Sequence, residues 1–289
     1  MTFSDAGGWR PGVWTDNGIV DIVRVDPAIP GDMISLLNGG DDALRAVRNA
    51  VTKSSIVYDP DTVRLQAPVP LPGKVLGIGL NYADHIEESG REAPEHQIWF
   101  NKQRECIVGP GAPILIPTVS DLVDYEVEMC FVIGKKCRHV PKSRAHEVIA
   151  GFCIGNDVSV RDWQLRTPTM TLGKSFDTHG PLGPWLVTPD ELGDPHDLDI
   201  KCWVNGDLRQ NSNTRHLIFD CYDQIELLTQ VCTLQPGDVI FSGTPGGVGA
   251  ARRPREFLQD GDLVRLEIDG LGVLENPVAK ETAQVMIDA

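Results

Sequence analysis

Asp124-Tyr125-Glu126-Val127-Glu128-Met129-Cys130-Phe131-Val132-Ile133 joins a pair of carboxylates to an uninterrupted apolar run. In an extended strand, alternate side chains share a face. Glu126 and Glu128 would then project together, roughly 7 Å apart along the chain, with Val127 and Met129 on the other side. A solvated strand often shows such a pair. The run from Met129 to Ile133, however, implies a strand covered on both faces, so these carboxylates open a buried strand. Two like charges about 4 Å apart repel by about 4 kcal/mol at an effective dielectric near 20, and a divalent cation turns that repulsion into attraction. A third carboxylate, Asp157 in Gly155-Asn156-Asp157-Val158-Ser159, closes a second apolar run, Ile149 to Ile154. Three carboxylates from two strands make the oxygen-only set that hard ions such as Mg²⁺, Mn²⁺ or Ca²⁺ prefer. No Cys and His stand nearby at the ligand spacing zinc requires.

Outward from this stretch the chain reads as β-rich α+β. Strands are predicted over Lys74 to Leu80, Val123 to Gly134, Ile149 to Val158, Leu198 to Val204, Gly237 to Ser242 and Asp262 to Ile268. Asn205-Gly206 predicts a two-residue hairpin, because both turn positions need positive φ. A helix is expected from an Asp220 N-cap to Leu234, with Tyr222, Ile225, Leu228 and Val231 on one face and Pro236-Gly237 beyond its end. Before residue 70, strand-like pieces (Gly18 to Val25, Ser55 to Tyr58) surround a helical stretch, Asp41 to Lys53, with Leu44, Val47 and Val51 at helical spacing. Gln66-Ala67-Pro68-Val69-Pro70-Leu71-Pro72-Gly73 carries three prolines, which forbids regular structure and reads as a linker. The expected division is a small α+β unit over residues 1–70 and a larger unit over 71–289.

In Gly79-Leu80-Asn81-Tyr82-Ala83-Asp84-His85-Ile86-Glu87-Glu88, a helix starting after Asn81 sets His85 and Glu88 at i and i+3, where they can meet. A carboxylate that holds an imidazole tautomer and raises its basicity makes a general base. Lys174, in Gly173-Lys174-Ser175, is a candidate contact for an anion. Pro168 stands where a Walker A glycine belongs, so this is no P-loop. Gly243-Thr244-Pro245-Gly246-Gly247-Val248-Gly249 follows a strand but precedes no amphipathic helix. It is therefore not a dinucleotide fingerprint, and its amides are read as able to approach a small anion. Ser242 and Ser159 lack the G-x-S-x-G context of a serine hydrolase.

Composition narrows the partners. With 26 Lys plus Arg against 41 Asp plus Glu, the 289-residue chain has a formal net charge of −15. Its basic runs (Lys135, Lys136, Arg138; Arg252, Arg253, Arg255) are short and flanked by acids, which argues against nucleic acid. An anionic substrate must be drawn in locally, by a metal ion or a fixed cation. The seven cysteines form no CxxC pair and sit mostly in apolar runs, reading as reduced core residues. The first residues lack the pattern of a secretory signal and no run is long enough to span a membrane, so the expected location is cytoplasmic.

Taken in order, NYADHxxE (81–88), DYEVE (124–128), GNDVSVRDWQ (155–164), LGKSFDTHGPLGP (172–184), VNG (204–206) and PGDVIFSGTPGGVG (236–249) resemble the fumarylacetoacetate hydrolase family over about residues 71 to 278, with most similarity to stand-alone bacterial members and the domain-containing-protein-2 branch. The resemblance implies a mixed β-sandwich roll behind a small N-terminal domain, assembled as a homodimer. It implies Mg²⁺ or Mn²⁺ on Glu126, Glu128 and Asp157, water activation by His85 with Glu88, and substrate contacts from Tyr82, Gln164, Lys174, Gly243 and Thr244. The implied reaction is carbon–carbon cleavage of a small anionic 2,4-dioxo acid, with the metal stabilising the enolate. Oxaloacetate decarboxylation, keto-enol tautomerisation and isomerisation of 2-hydroxyhepta-2,4-diene-1,7-dioate need the same metal and base, so they stand as alternatives. A non-catalytic ligand-binding protein is a further one. The sequence departs from the family's usual Phe-x-Lys-Pro followed by Ser: it has Phe100-Asn101-Lys102-Gln103-Arg104-Glu105-Cys106.

Overall fold

The apolar run from Met129 to Ile133 requires neighbours on every side, and it finds them at the centre of a seven-stranded mixed sheet. In the computed structural model, which describes residues 1–54, 56–90, 92–282 and 285–287, the strand order is Ile98–Lys102, Val75–Gly79, Val239–Phe241, Val127–Ile133, Ile149–Asn156, Gly180–Val187, Ile107–Val108. The central strand is antiparallel to both neighbours, whereas Val239–Phe241 runs parallel to Val75–Gly79. Every residue of Val127–Ile133 is buried. Val127, Met129, Phe131 and Ile133 pack with Ile200, Cys202, Val264, Leu266 and Leu274 of a five-stranded sheet. From the opposite face, Cys130 and Val132 pack with Ile22, Met33, Leu36 and Ala50 of the N-terminal helices. This is the β-rich α+β sandwich expected from the sequence.

Local differences have local causes. The stretch predicted as one strand from Val123 to Gly134 is broken. Val123–Asp124 pairs with Ser159–Val160, and the long strand restarts at Val127. Glu126 lies in the break, where its N–H donates to Asn156 Oδ1 (3.0 Å) and its carbonyl accepts from Asp157 N–H (2.9 Å). Glu126 and Glu128 are therefore not simple alternate residues of one ladder. The expected strand over Gly18 to Val25 ends at Val20, because the Asp21 side chain accepts from Arg24 N–H and caps a helical turn, Ile22–Val25. Of the Ser55 to Tyr58 piece, Val57–Tyr58 is a strand and Ser55 lies outside the described residues. The helix expected over Asp41 to Lys53 spans Gly40–Lys53. Asp220 and Asp223 form a reciprocal capping box on Cys221–Val231, which stops short of Leu234. Leu234 instead exchanges backbone hydrogen bonds with Cys137. Asn205 (φ 54°) and Gly206 (φ 85°) make the predicted hairpin turn.

The proline-rich segment is irregular, as its composition demands, yet it is not an exposed tether. Ala67 and Val69 are buried, and the Thr2 hydroxyl donates to Pro68 O at 2.8 Å. The N-terminal helices share one apolar cluster with the central sheet. All seven cysteines are free thiols, and six are buried. No described helix is long and apolar enough to cross a membrane.

Candidate active site

The ladder between Val127–Ile133 and Ile149–Asn156 sets Val127 opposite Asn156 and Glu128 opposite Gly155. That register delivers Asp157, the next residue, to the two glutamates. Glu126, Glu128 and Asp157 are all buried and offer carboxylate oxygens within 4.8 Å of one another. Oxygens bound to one hard divalent ion at about 2.0–2.6 Å lie at most about 5 Å apart, so the donor set fits Mg²⁺ or Mn²⁺ in both chemistry and spacing.

Three cations, the buried Lys174 and Lys102 and the half-buried Arg161, interleave with these acids. Lys174 Nζ donates to Glu126 Oε2 (2.8 Å) and Asp157 Oδ2 (2.6 Å). Lys102 Nζ donates to Asp157 Oδ1 (2.7 Å) and to the Lys174 carbonyl. Arg161 Nη1 stands 2.6 Å from Glu126 Oε1, while its Nε donates to Asp124 at 2.8 Å. Burial raises the Glu126 pKa, but Lys174 and Arg161 outweigh it and hold the carboxyl at about 2. Burial, then the charges of Asp157 and Glu126, push Glu128 well above the carboxylate range. Burial works against the Lys174 ammonium, but Asp157 and Glu126 keep its pKa above the ordinary value. Four carboxylates, Asp124 included, thus face three cations, which leaves the cluster one negative charge in surplus.

The candidate base dyad, His85 with Glu88, sits on the helix Ala83–Ser89. His85 Nδ1 lies 3.5 Å from Glu88 Oε1 and has no hydrogen-bond partner, so the pair is within ionic reach but not yet hydrogen-bonded. Catalytic contacts of this kind commonly tighten only around substrate. Glu88 Oε2 accepts from Gly247 N–H at 2.6 Å. Only glycine fits there: φ is +102°, and a Cβ would stand 2.2 Å from Arg209 O.

The glycine-rich loop was expected to present amides to a small anion. It spends them on the protein's own acids. Gly243 N–H goes to Glu128 (2.7 Å), Gly247 N–H to Glu88, and Gly249 and Ala250 N–H to Asp124 (2.8 and 2.9 Å). The Thr244 hydroxyl, implied to bind a substrate carboxylate, donates to Val127 O (2.9 Å) and accepts from Gln210 Nε2 (2.8 Å). Its single proton is committed to Val127.

A cleft of about 640 Å³ collects the rest. His85, Glu88, Glu126, Glu128, Gln164, Lys174 and Thr244 line it, whereas Asp157 lies behind the two lysines. Gln164 Oε1 accepts from Arg161 Nη1 (3.0 Å). Two residues implied as substrate contacts are not on the wall. Tyr82 is fully buried as the N-cap residue of the dyad helix, its hydroxyl unpartnered. Gly243 acts through Glu128. Sequence reasoning missed Lys102, Arg161 and Asp124. Lys102 had a signal: Phe100 and Lys102 alternate with exposed Asn101, so strand period places the lysine on the buried side.

Residues 74–279 match the family described as Fumarylacetoacetate (FAA) hydrolase C-terminal. The chain is similar to oxaloacetate tautomerase Fahd2a, mitochondrial, of Rattus norvegicus: 45% identical over 262 residues, covering 90% of this chain and 84% of the relative. It also resembles the crystal structure of maleylpyruvate hydrolase from Sphingobium sp. SYK-6 in complex with manganese(II) and pyruvate, with TM-score 0.81, 34% identity and coverage of 98% and 100% of the two chains. Fumarylacetoacetate hydrolase from psychrophilic Exiguobacterium antarcticum superposes with TM-score 0.82 at 33% identity, covering 97% of this chain and 98% of that one. The chain is therefore an enzyme-family protein with a buried acidic triad able to hold a metal, and it belongs to the fumarylacetoacetate hydrolase family.

Proposed function

We propose that the protein moves a proton on an enolisable 2-oxo acid, and that its reaction is the keto-enol tautomerisation of oxaloacetate. One observation carries this reading. The His85–Glu88 dyad and the carboxylates Glu126 and Glu128 open onto one cleft, in a chain 45% identical over 90% of its length to an oxaloacetate tautomerase. Glu126, Glu128 and Asp157 would hold Mg²⁺ or Mn²⁺, which when bound supplies Lewis-acid polarisation of the 2-oxo acid.

The chain's own groups do the rest. Glu88, pinned by Gly247 N–H, keeps its other oxygen toward His85 Nδ1 and so stabilises a protonated imidazole. His85 Nε2 takes a proton at one end of the enol system and returns it at the other. Only C–H and O–H bonds change, and no water is consumed. Lys174, with one N–H beyond its two carboxylate bonds, and the Gln164 amide are donors on the cleft wall for the oxygen on which charge develops.

Hydrolytic carbon–carbon cleavage, the leading expectation from sequence, is the second reading. It is favoured by the likeness to the maleylpyruvate hydrolase complex, and it needs His85 to activate water instead. The two separate in paired assays with Mg²⁺. Tautomerisation speeds the decay of enol-oxaloacetate absorbance without releasing pyruvate. Cleavage of an acylpyruvate, or decarboxylation of oxaloacetate, releases pyruvate stoichiometrically. Absence of enol decay above background would overturn the first reading.

A further inference from the structure

The cleft carries more positive charge than the triad and dyad use. Arg161, Arg166, Lys174, Arg253 and Arg255 all line it. Three of these are matched by acids. Arg161 pairs with Asp124 and Glu126, Lys174 pairs with Glu126 and Asp157, and Arg166 lies 3.5 Å from Asp162 and 3.8 Å over the Trp163 ring.

Arg253 and Arg255 differ. Arg253 Nη1 reaches only the carbonyls of Ala251 (3.1 Å) and Arg252 (2.9 Å). The neighbouring acid, Glu256, is taken by Arg209 and Arg252. Among the described residues no carboxylate comes within ion-pair distance of either guanidinium. Acids outnumber Lys and Arg by 41 to 26 in this chain, so two cations left without one at a cleft rim leave room for an anion from outside.

Their position is not left to a loose loop. Asp124 takes Gly249 N–H and Ala250 N–H on one side and Arg161 on the other, and Arg161 touches Glu126. Glu256 N–H closes the turn onto Gly249 O (3.1 Å). One buried carboxylate therefore ties the arginine-bearing segment to the acid triad.

We infer that Arg253 and Arg255 hold the second carboxylate of a dicarboxylic 2-oxo acid whose other end sits at the triad. The inference rests on the proposed reading that the triad takes the 2-oxo-acid end. Guanidinium suits the task, since its planar fork meets a carboxylate with two parallel hydrogen bonds. The pair also reverses, at the entrance, the repulsion of a −15 chain for a dianion.

The test uses the Mg²⁺-loaded full chain and its Arg253→Gln/Arg255→Gln variant. The readout is the ratio of kcat/KM for enol-oxaloacetate, a dicarboxylate, to that for the enol of acetopyruvate, a monocarboxylate. The ratio should fall about tenfold or more, as loss of a charge-assisted contact predicts. Arg253→Lys/Arg255→Lys, which keeps the charges but not the fork, should lose less of the ratio than the glutamine variant does. Raising KCl should lower the wild-type ratio and leave the glutamine variant's ratio flat, a readout that holds even if the variant is poorly folded. An unchanged ratio, or one equally salt-sensitive in both proteins, overturns the inference. If the wild type turns over neither enol, the proposed function fails by itself. Calorimetric titration with oxaloacetate and with pyruvate then decides the inference: a preference for the dicarboxylate must exist in the wild type and vanish in the glutamine variant.

Discussion

Replacing Lys102 with methionine tests the charge logic of the site most directly. The side chain is fully buried, and its ammonium stands 2.7 Å from Asp157 Oδ1. At an effective dielectric near 20, that separation corresponds to about 6 kcal/mol of attraction, part of which offsets the desolvation of both groups. Methionine keeps the volume of the aliphatic stem and removes only the charge. Asp157 then retains Lys174 alone, and the cluster becomes one charge more negative. Breaking a buried pair from one side costs about 3–5 kcal/mol, and that is the loss expected in urea unfolding of the metal-free protein. A divalent cation restores the missing charge, so the deficit should shrink by at least about 1 kcal/mol in saturating Mg²⁺, and calorimetry should find tighter Mg²⁺ binding than in the wild type. A metal-free loss below about 1 kcal/mol, or a deficit equal with and without Mg²⁺, would refute the reasoning.

Glu88→Gln keeps an acceptor for Gly247 N–H but withdraws the negative charge facing His85. Enol turnover should fall about 10²–10⁴-fold in kcat with little change in KM, as steady-state kinetics will show. Gly247→Ala forces a Cβ to 2.2 Å from Arg209 O at φ +102°. Thermal unfolding should register a loss of about 1–3 kcal/mol, together with reduced kcat as the Glu88 anchor shifts. Burial lowers the His179 pKa from 6.5 to about 4, while its Nε2 donates to Leu115 O at 2.7 Å. The folded state resists a proton that the unfolded state accepts, so stability is full above pH 6.5 and declines as pH falls toward 4, by up to about 3 kcal/mol. Denaturation across that window should follow this slope, and His179→Gln, which keeps an N–H donor, should flatten it.

Much of the site was readable because its determinants are local. A five-residue apolar run demands cover on both faces, and the carboxylates at its head and at the end of Ile149–Asn156 become neighbours as soon as those strands pair. Helical spacing brought His85 to Glu88 in the same way. Which counter-charge meets which acid was not legible, since Arg161 reaches Asp124 across 37 residues and Lys102 reaches Asp157 and the Lys174 carbonyl across 55 and 72. The glycine-rich loop was misread for a related reason. Its amides look free until the fold delivers Glu88, Asp124 and Glu128 to them.

Periodicity and composition, by themselves, determined the β-rich architecture, the hairpin at Asn205-Gly206, the capped helix after Asp220 and the acidic donor set. These follow from contacts within a few residues, where backbone geometry leaves few options. Tertiary structure alone decided which acids pair with which cations, that Ala67 to Val69 of the proline-rich segment are buried, and that Arg253 and Arg255 share a cleft with Glu126 and Glu128 of the triad. Burial and long-range electrostatics depend on what is brought alongside, and the linear spacing of residues carries almost no record of that.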